Sequence, residues 1–105
     1  MDFAFAGPLV EWRGPAPYHF VGLPEDLAAD VAELAAEVTY GWGMIPVRVQ
    51  VGGTEWETSL WPKDGGYLLP VKGKVRDAES LRLGDRVDVG LTVATRDGRL
   101  VHRDA

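Results

Sequence analysis

The sequence predicts a mainly β domain: a closed β-barrel of about six to seven short strands with helical caps. Its 105 residues suit one domain spanning residues 1–105. Its 13 Gly and 7 Pro are spread along the chain, which is typical of short strands joined by tight turns. Alternating apolar and polar residues recur between these turns, and closing the sheet would leave few unpaired strand edges.

The strands are predicted from this alternation. It is clearest over residues 45–51, where three valines alternate with Arg48 and Gln50. Gly52-Gly53 indicates a hairpin, and the returning strand over residues 54–61 places Trp61 on its polar face. The other predicted strands cover residues 3–13, broken at Gly7-Pro8 because proline lacks a ladder donor, and residues 18–23, 67–71 and 85–95. Asp97-Gly98 indicates one more hairpin turn.

One main helix is predicted over residues 24–40 and a short helical turn over residues 72–79. Pro24 suits the first helical position, and Glu25 and Asp26 complement the helix dipole. The apolar stripe of the main helix has helical spacing. It consists of Leu27, Val31, Leu34, Ala35 and Val38. The tail from about residue 102 is polar and is expected to fray.

Charge and composition narrow the functional classes. Residues 1–60 carry two basic and nine acidic side chains (net -7), and residues 61–105 carry nine basic and seven acidic ones (net +2), for a total of -5. A duplex-binding surface needs clustered cations, so the charge disfavours nucleic acid as a partner. No cysteine is present, and no stretch of the sequence resembles a signal peptide or a membrane span. We therefore expect a cytoplasmic location and no membrane.

Catalytic and metal-binding patterns are weak. The two histidines, His19 and His102, do not have the spacing of metal ligands. Ser59 and Ser80 lack the context of a nucleophile elbow, and Gly-Trp-Gly at 41–43 is too short for a phosphate loop. The sequence therefore predicts no cofactor, no metal and no enzymatic activity.

Three cations form the main candidate site. Lys72, Lys74 and Arg76 fall within five residues of a chain whose net charge is -5. They lie near the start of the predicted helical turn, whose free N–H groups would favour an anion, and Arg76 could hold a carboxylate or phosphate through two hydrogen bonds. Trp61 could supply an aromatic wall. This pattern predicts a small-anion or peptide site; alternatively, the cations pair with the acidic helix or face solvent.

Two resemblances rest on longer motifs. The stretch LLPVKGKVRDAESLRLGDRVDV is similar to the core signature of AbrB-type swapped-hairpin proteins. Nearly the whole chain resembles a family of small bacterial barrel domains known only as a domain of unknown function, number nineteen-oh-five. The motifs that carry this resemblance are Val47-x-Val49-x-Val51-Gly52-Gly53, Ser59-Leu60-x-Pro62, Gly66-Tyr67-x-Leu69-Pro70-Val71, Val75-Arg76 and Leu83-Gly84-Asp85-x-Val87. It implies a double-split β-barrel with helical caps. That family has no established activity, so no functional residue is carried over.

The resulting functional prediction is a non-enzymatic binding or interaction domain, a monomer or weak homodimer, whose partner is a small anionic ligand or a protein. A DNA-binding regulator of AbrB-like type is one alternative, although its relatives act as dimers of shorter chains. An enzyme of unknown reaction is a second alternative. Residues 18–31 and 67–81 share a strand, Leu-Pro, helix pattern, which fits either a duplicated half or chance similarity.

Overall fold

The computed structural model describes residues 2–15, 18–36, 43–95 and 97–102. Eight strands make up about half of the described residues, and two helices accompany them. The elements in chain order are β1 (Phe3–Pro8), β2 (Val10–Trp12), β3 (Tyr18–Gly22), α1 (Glu25–Ala35), β4 (Ile45–Val51), β5 (Thr54–Lys63), β6 (Gly66–Pro70), α2 (Gly73–Ala78), β7 (Arg86–Ala94) and β8 (Leu100–Val101).

The strands form one antiparallel sheet in the order β1-β7-β4-β5-β6-β3-β2, and β8 also pairs with β7. The ten-residue strand β5 belongs to two parts of this sheet, because residues 54–60 pair with β4 and residues 61–63 pair with β6. We call β1, β4, β7, β8 and residues 54–60 the first half-sheet. Residues 61–63 together with β6, β3 and β2 are the second half-sheet.

The sheet is a curled half-barrel, so the prediction of a closed barrel is wrong. The two ends of the strand order, β1 and β2, are consecutive in the chain and are separated only by buried Leu9. The Leu9 N–H donates to the Asp85 carbonyl (2.9 Å), and its own carbonyl accepts from the Gly84 N–H (2.8 Å). Both backbone groups of Leu9 therefore bond to the turn before β7. The chain passes from β1 to β2 at this residue, and no hydrogen-bonded pairing between these two strands closes the barrel. The double-split arrangement stays a prediction.

The core lies between the concave face of the sheet and α1. The inward alternation predicted for β4 and β7 is confirmed, since their inward residues are all buried: Val47, Val49 and Val51 in β4, and Val87, Val89, Leu91 and Val93 in β7. Helix α1 contacts β6 and β7, and its residues Val31 and Ala35 join this core. The predicted end of this helix at residue 40, together with Val38, lies outside the described residues.

The remaining predicted elements are confirmed with small shifts. The first strand breaks at Leu9, because Gly7 and Pro8 still pair with β7. Gly52 takes φ +57° in the predicted hairpin, and Gly98 takes φ +90° in the turn before β8. The predicted frayed tail falls mostly on residues 103–105, outside the described residues. Within them, His102 Nδ1 lies 3.1 Å from Asp2 Oδ2.

Candidate binding site

Four aromatic side chains cluster on the outer surface of the second half-sheet. Val21 of β3 and its partner Leu69 of β6 are fully buried, so Tyr18 and Phe20, at alternate positions of β3, point outward. The ring centroids are 5.4 Å apart for Trp12 and Tyr18, 5.6 Å for Tyr18 and Phe20, and 4.7 Å for Tyr18 and Trp61. We call Trp12, Tyr18, Phe20 and Trp61 the aromatic face.

Apolar neighbours extend the aromatic face across the half-sheet. Leu68 pairs with Trp61, and Pro70 pairs with Phe20; both neighbours are half-buried. Trp12 is 39% exposed, and the other three aromatic residues are half-buried. The result is a continuous apolar surface on the outside of a sheet, a position that is usually solvated and polar in antiparallel sheets.

A cleft of about 630 Å³ adjoins the aromatic face at Trp61. This volume lies within the range of small-ligand sites. Its polar lining includes the hydroxyl-bearing residues Thr58, Ser59 and Thr95 and the acids Glu57 and Asp97. A hydrogen bond from Thr95, with one from the Arg99 backbone, lowers the pKa of the Asp97 carboxyl below its ordinary value. The cleft therefore combines an aromatic wall with hydrogen-bonding groups.

Arg76 anchors α2 to the sheet. Its Nε donates to the Val71 carbonyl (3.2 Å), and its Nη1 lies 3.2 Å from Nε2 of His19. Trp61 contacts Tyr18, the residue next to His19 on β3, and consecutive residues of a strand point to opposite faces. The structure thus places Trp61 and Arg76 on opposite sides of β3 and does not bring these two predicted site residues together.

Lys72 occupies the same side as Trp61 by register. The Val71 N–H donates to the His19 carbonyl (2.9 Å), which continues the β3–β6 pairing by one residue and sets Lys72 opposite Tyr18. Lys72 keeps an extended backbone (φ −70°, ψ 160°), and Val71 before it is buried, so alternation puts Lys72 on the outer side. Lys74 is exposed on α2. The side-chain ammonium groups of Lys72 and Lys74 form no ion pair with another described residue.

A row of charged and polar groups lies behind the aromatic face, on the other side of β2 and β3. Glu11 pairs with His19 across the two strands, and its Oε2 lies 3.5 Å from Nε2 of His19. The other oxygen of Glu11 lies 3.3 Å from Nε of Arg13. Nothing in the spacing of the sequence connects His19 with Glu11 or Arg76. The pairing of Glu11 with His19 becomes visible only once the register of β2 and β3 is known.

The described residues offer no alternative centre for metal chemistry. Among residues 2–15, 18–36, 43–95 and 97–102, no group of three or more His, Asp or Glu side chains is placed to hold a metal ion. No helix in the same ranges is both long and apolar enough to cross a membrane. The prediction that the chain uses no metal or cofactor stays a prediction.

The half-barrel and its outer aromatic face define a small β-rich domain with an exposed apolar surface. The chain belongs to the family described as Domain of unknown function (DUF1905), whose model matches residues 5–91. This confirms the family resemblance seen in the sequence, and the matched range includes the whole aromatic face. The likeness to AbrB-type proteins stays a prediction. No curated protein matches the chain.

Proposed function

We propose that this domain is a non-enzymatic binding module that holds a short, acidic and apolar peptide against the aromatic face. The aromatic face carries the proposal, because the described part of the chain leaves it partly exposed on the outside of the sheet. Trp and Tyr bind partners well, since each buries a large area and keeps a polar atom for hydrogen bonding. The adjoining cleft at Trp61 would accept a side chain of the peptide.

The charges at the margins of the aromatic face favour an acidic peptide. Lys72 lies opposite Tyr18, and Lys63 follows Trp61 on the same side of β5; both lysines are exposed. Glu57, an acid on the same side, has its carboxylate 3.3 Å from Nη1 of Arg48. A carboxylate of the peptide could therefore pair with either lysine. The net charge of -5 opposes a long polyanion such as nucleic acid.

The test is a binding titration followed by tryptophan emission. The probes are acidic peptides rich in Leu and Phe, the same peptides with Lys in place of each acid, and inorganic phosphate. We expect binding of the acidic peptides only, and Trp61→Ala should weaken it about tenfold or more, as for a central aromatic contact. Lys72→Ala should weaken it less and reduce its dependence on salt.

Arg86→Ala is the matched control, because Arg86 is exposed on β7 of the first half-sheet and does not line the cleft at Trp61. It should leave the affinity unchanged. Trp61→Ala binding as tightly as the wild type would refute the proposal, as would tighter binding of the basic peptides. Binding of phosphate alone, lost with Lys72→Ala, would instead support the small-anion alternative.

The AbrB-like alternative has its own test. A DNA-binding regulator should form a nonspecific complex at low salt, because counterion release dominates such binding. A gel-shift assay at low salt with about tens of micromolar protein therefore separates the two proposals. We expect no complex.

A further inference from the structure

We propose that His19 is a proton-operated switch that exchanges Arg76 for Glu11 as its hydrogen-bond partner. Both partners approach the same ring nitrogen: Nη1 of Arg76 lies 3.2 Å from Nε2 of His19, and Oε2 of Glu11 lies 3.5 Å from it. His19 stands on β3, Glu11 on β2 and Arg76 on α2, so the exchange connects three elements.

The two contacts are chemically exclusive. A guanidinium only donates hydrogen bonds, so Arg76 needs the bare lone pair of Nε2, which exists when the neutral ring carries its proton on Nδ1. An ionised carboxylate only accepts, so Glu11 needs a proton on Nε2. Protonating the ring removes the lone pair, sets an imidazolium beside the guanidinium, and gives Glu11 a charged donor. A proton therefore moves the hydrogen bond from Arg76 to Glu11.

Two charged groups of opposite sign face His19. From β2 it faces Glu11, whose other oxygen is held by Nε of Arg13 at 3.3 Å. From α2 it faces Arg76, while Lys74 and Asp77 of that helix are exposed. The neighbouring strands β1 and β6 contain no Asp, Glu, Lys, Arg or His, and Tyr67 is the one titratable residue of β6.

The exchange acts on α2 and on the aromatic face together. When Arg76 loses His19, it keeps the bond from Nε to the Val71 carbonyl, so the Arg76 side chain holds one hydrogen bond instead of two. When Glu11 gains His19, β2 and β3 are joined more firmly at a register pair adjacent to Trp12 and Tyr18. The proton state of His19 thus affects the strand pairing beside Trp12 and Tyr18, two of the four residues of the aromatic face.

The test is NMR of the full chain labelled with ¹⁵N-histidine, followed from pH 8 to pH 5. The chain has only two histidines, so His102→Ala assigns both signals. At pH 8 we expect the neutral His19 ring to carry its proton on Nδ1, with Nε2 bare. As the ring titrates, the backbone amide signals of Val75, Arg76 and Trp12 should shift with the same midpoint. In His19→Gln, this shared transition should be lost.

Two variants sharpen the test. Arg76→Met removes the donor, so the proton of the neutral ring should move to Nε2, where Glu11 accepts it. Lys74→Ala, on the same helix but exposed, should leave the His19 titration unchanged. The proposal is overturned if the neutral wild-type ring carries its proton on Nε2, or if the α2 amides ignore the titration. If Arg76→Met does not fold, the proposal is still tested in the wild type, by the tautomer of the neutral His19 ring and by the pH midpoint that the ring and the amide signals share. No peptide is used, so failure of the proposed function leaves this test intact.

Discussion

The two half-sheets use their outer surfaces in opposite ways. The first half-sheet buries valines and leucines on its concave side and shows charged residues outside. There, Nε of Arg48 lies 3.7 Å from Oε1 of Glu55, and Nη1 of Arg48 lies 3.3 Å from Oε1 of Glu57. The second half-sheet shows aromatic rings outside and places Glu11 and His19 on the other side of β2 and β3, where Arg76 of α2 approaches His19. The first arrangement is what folding alone requires of a solvated sheet.

The outer surface of the second half-sheet is the better candidate for a functional surface. Ion pairs on an exposed strand contribute little to stability, and their loss is easily tolerated. The exposed part of an aromatic cluster gains nothing from folding until a partner covers it, and it raises the risk of aggregation. The second half-sheet therefore carries features that the stability of the fold does not explain.

The largest effect on stability is expected at two neighbouring leucines of β6. Leu69 points inward and is fully buried, whereas Leu68 points outward among the apolar neighbours of the aromatic face. Leu69→Ala should lower the free energy of unfolding by about 3 kcal/mol, because it leaves a cavity in the core, and Leu68→Ala by about 1 kcal/mol. Urea unfolding of both variants measures this. Equal losses would mean that the outer surface is packed like a core.

The hairpin turns of the two half-sheets should differ as well. Gly52 and Gly65 both have positive φ (+57° and +81°), so alanine strains the backbone at each. A Cβ at Gly52 would also collide with the carboxylate of Glu79, which accepts from the Thr54 hydroxyl at 2.6 Å, whereas nothing lies near Gly65. Gly52→Ala should cost about 2 kcal/mol and Gly65→Ala about 1 kcal/mol.

A double-mutant cycle checks the cause of that difference. With Glu79→Ala in the background, the additional cost of Gly52→Ala should fall towards that of Gly65→Ala, because the collision is gone and only the backbone strain remains. Thermal unfolding of the four proteins provides the measurement. An unchanged cost would show that Glu79 moves aside freely.

The smallest expected effect lies in the last turn of the first half-sheet. The hydrogen bond from Thr95 lowers the pKa of Asp97, so this carboxylate stabilises the fold above its ordinary pKa, and the contribution disappears as pH falls through the lowered value. Because Asp97 is fully exposed, the change in stability should be slight. Thr95→Val should move the pKa of Asp97 back towards its ordinary value, as followed by NMR of the carboxyl carbon. If the pKa of Asp97 does not change in Thr95→Val, the hydrogen bond from the Arg99 backbone is the cause of the lowered pKa.

Local patterns in the sequence predicted most elements of this fold. The alternation in residues 45–51 and 85–95 and the glycine pair at 52–53 are determined within a few residues, so strands and hairpin could be located. The open edge of the sheet could not be predicted. It depends on Leu9 bonding to the turn at Gly84 and Asp85, a contact between distant parts of the chain that no local pattern records.

The candidate site was predictable only where it depends on local patterns in the sequence. Alternation along β5 was enough to place Trp61 on the outer side, but its neighbour Tyr18 belongs to another strand. Grouping Arg76 with Lys72 followed from their closeness in sequence. The structure separates them, since Arg76 turns to His19, which is 57 positions away, whereas Lys72 continues the register beside Tyr18.

The crossing at Leu9 also sets an order of assembly during synthesis. β2 can pair as soon as the next strand has been made, because Val10 pairs with Phe20. β1 can pair only after β7 has been made, because Phe3 pairs with Leu91. Non-local pairings of this kind slow folding and leave strands exposed meanwhile. Within this sheet, the strand that is made first is therefore among the last to be placed.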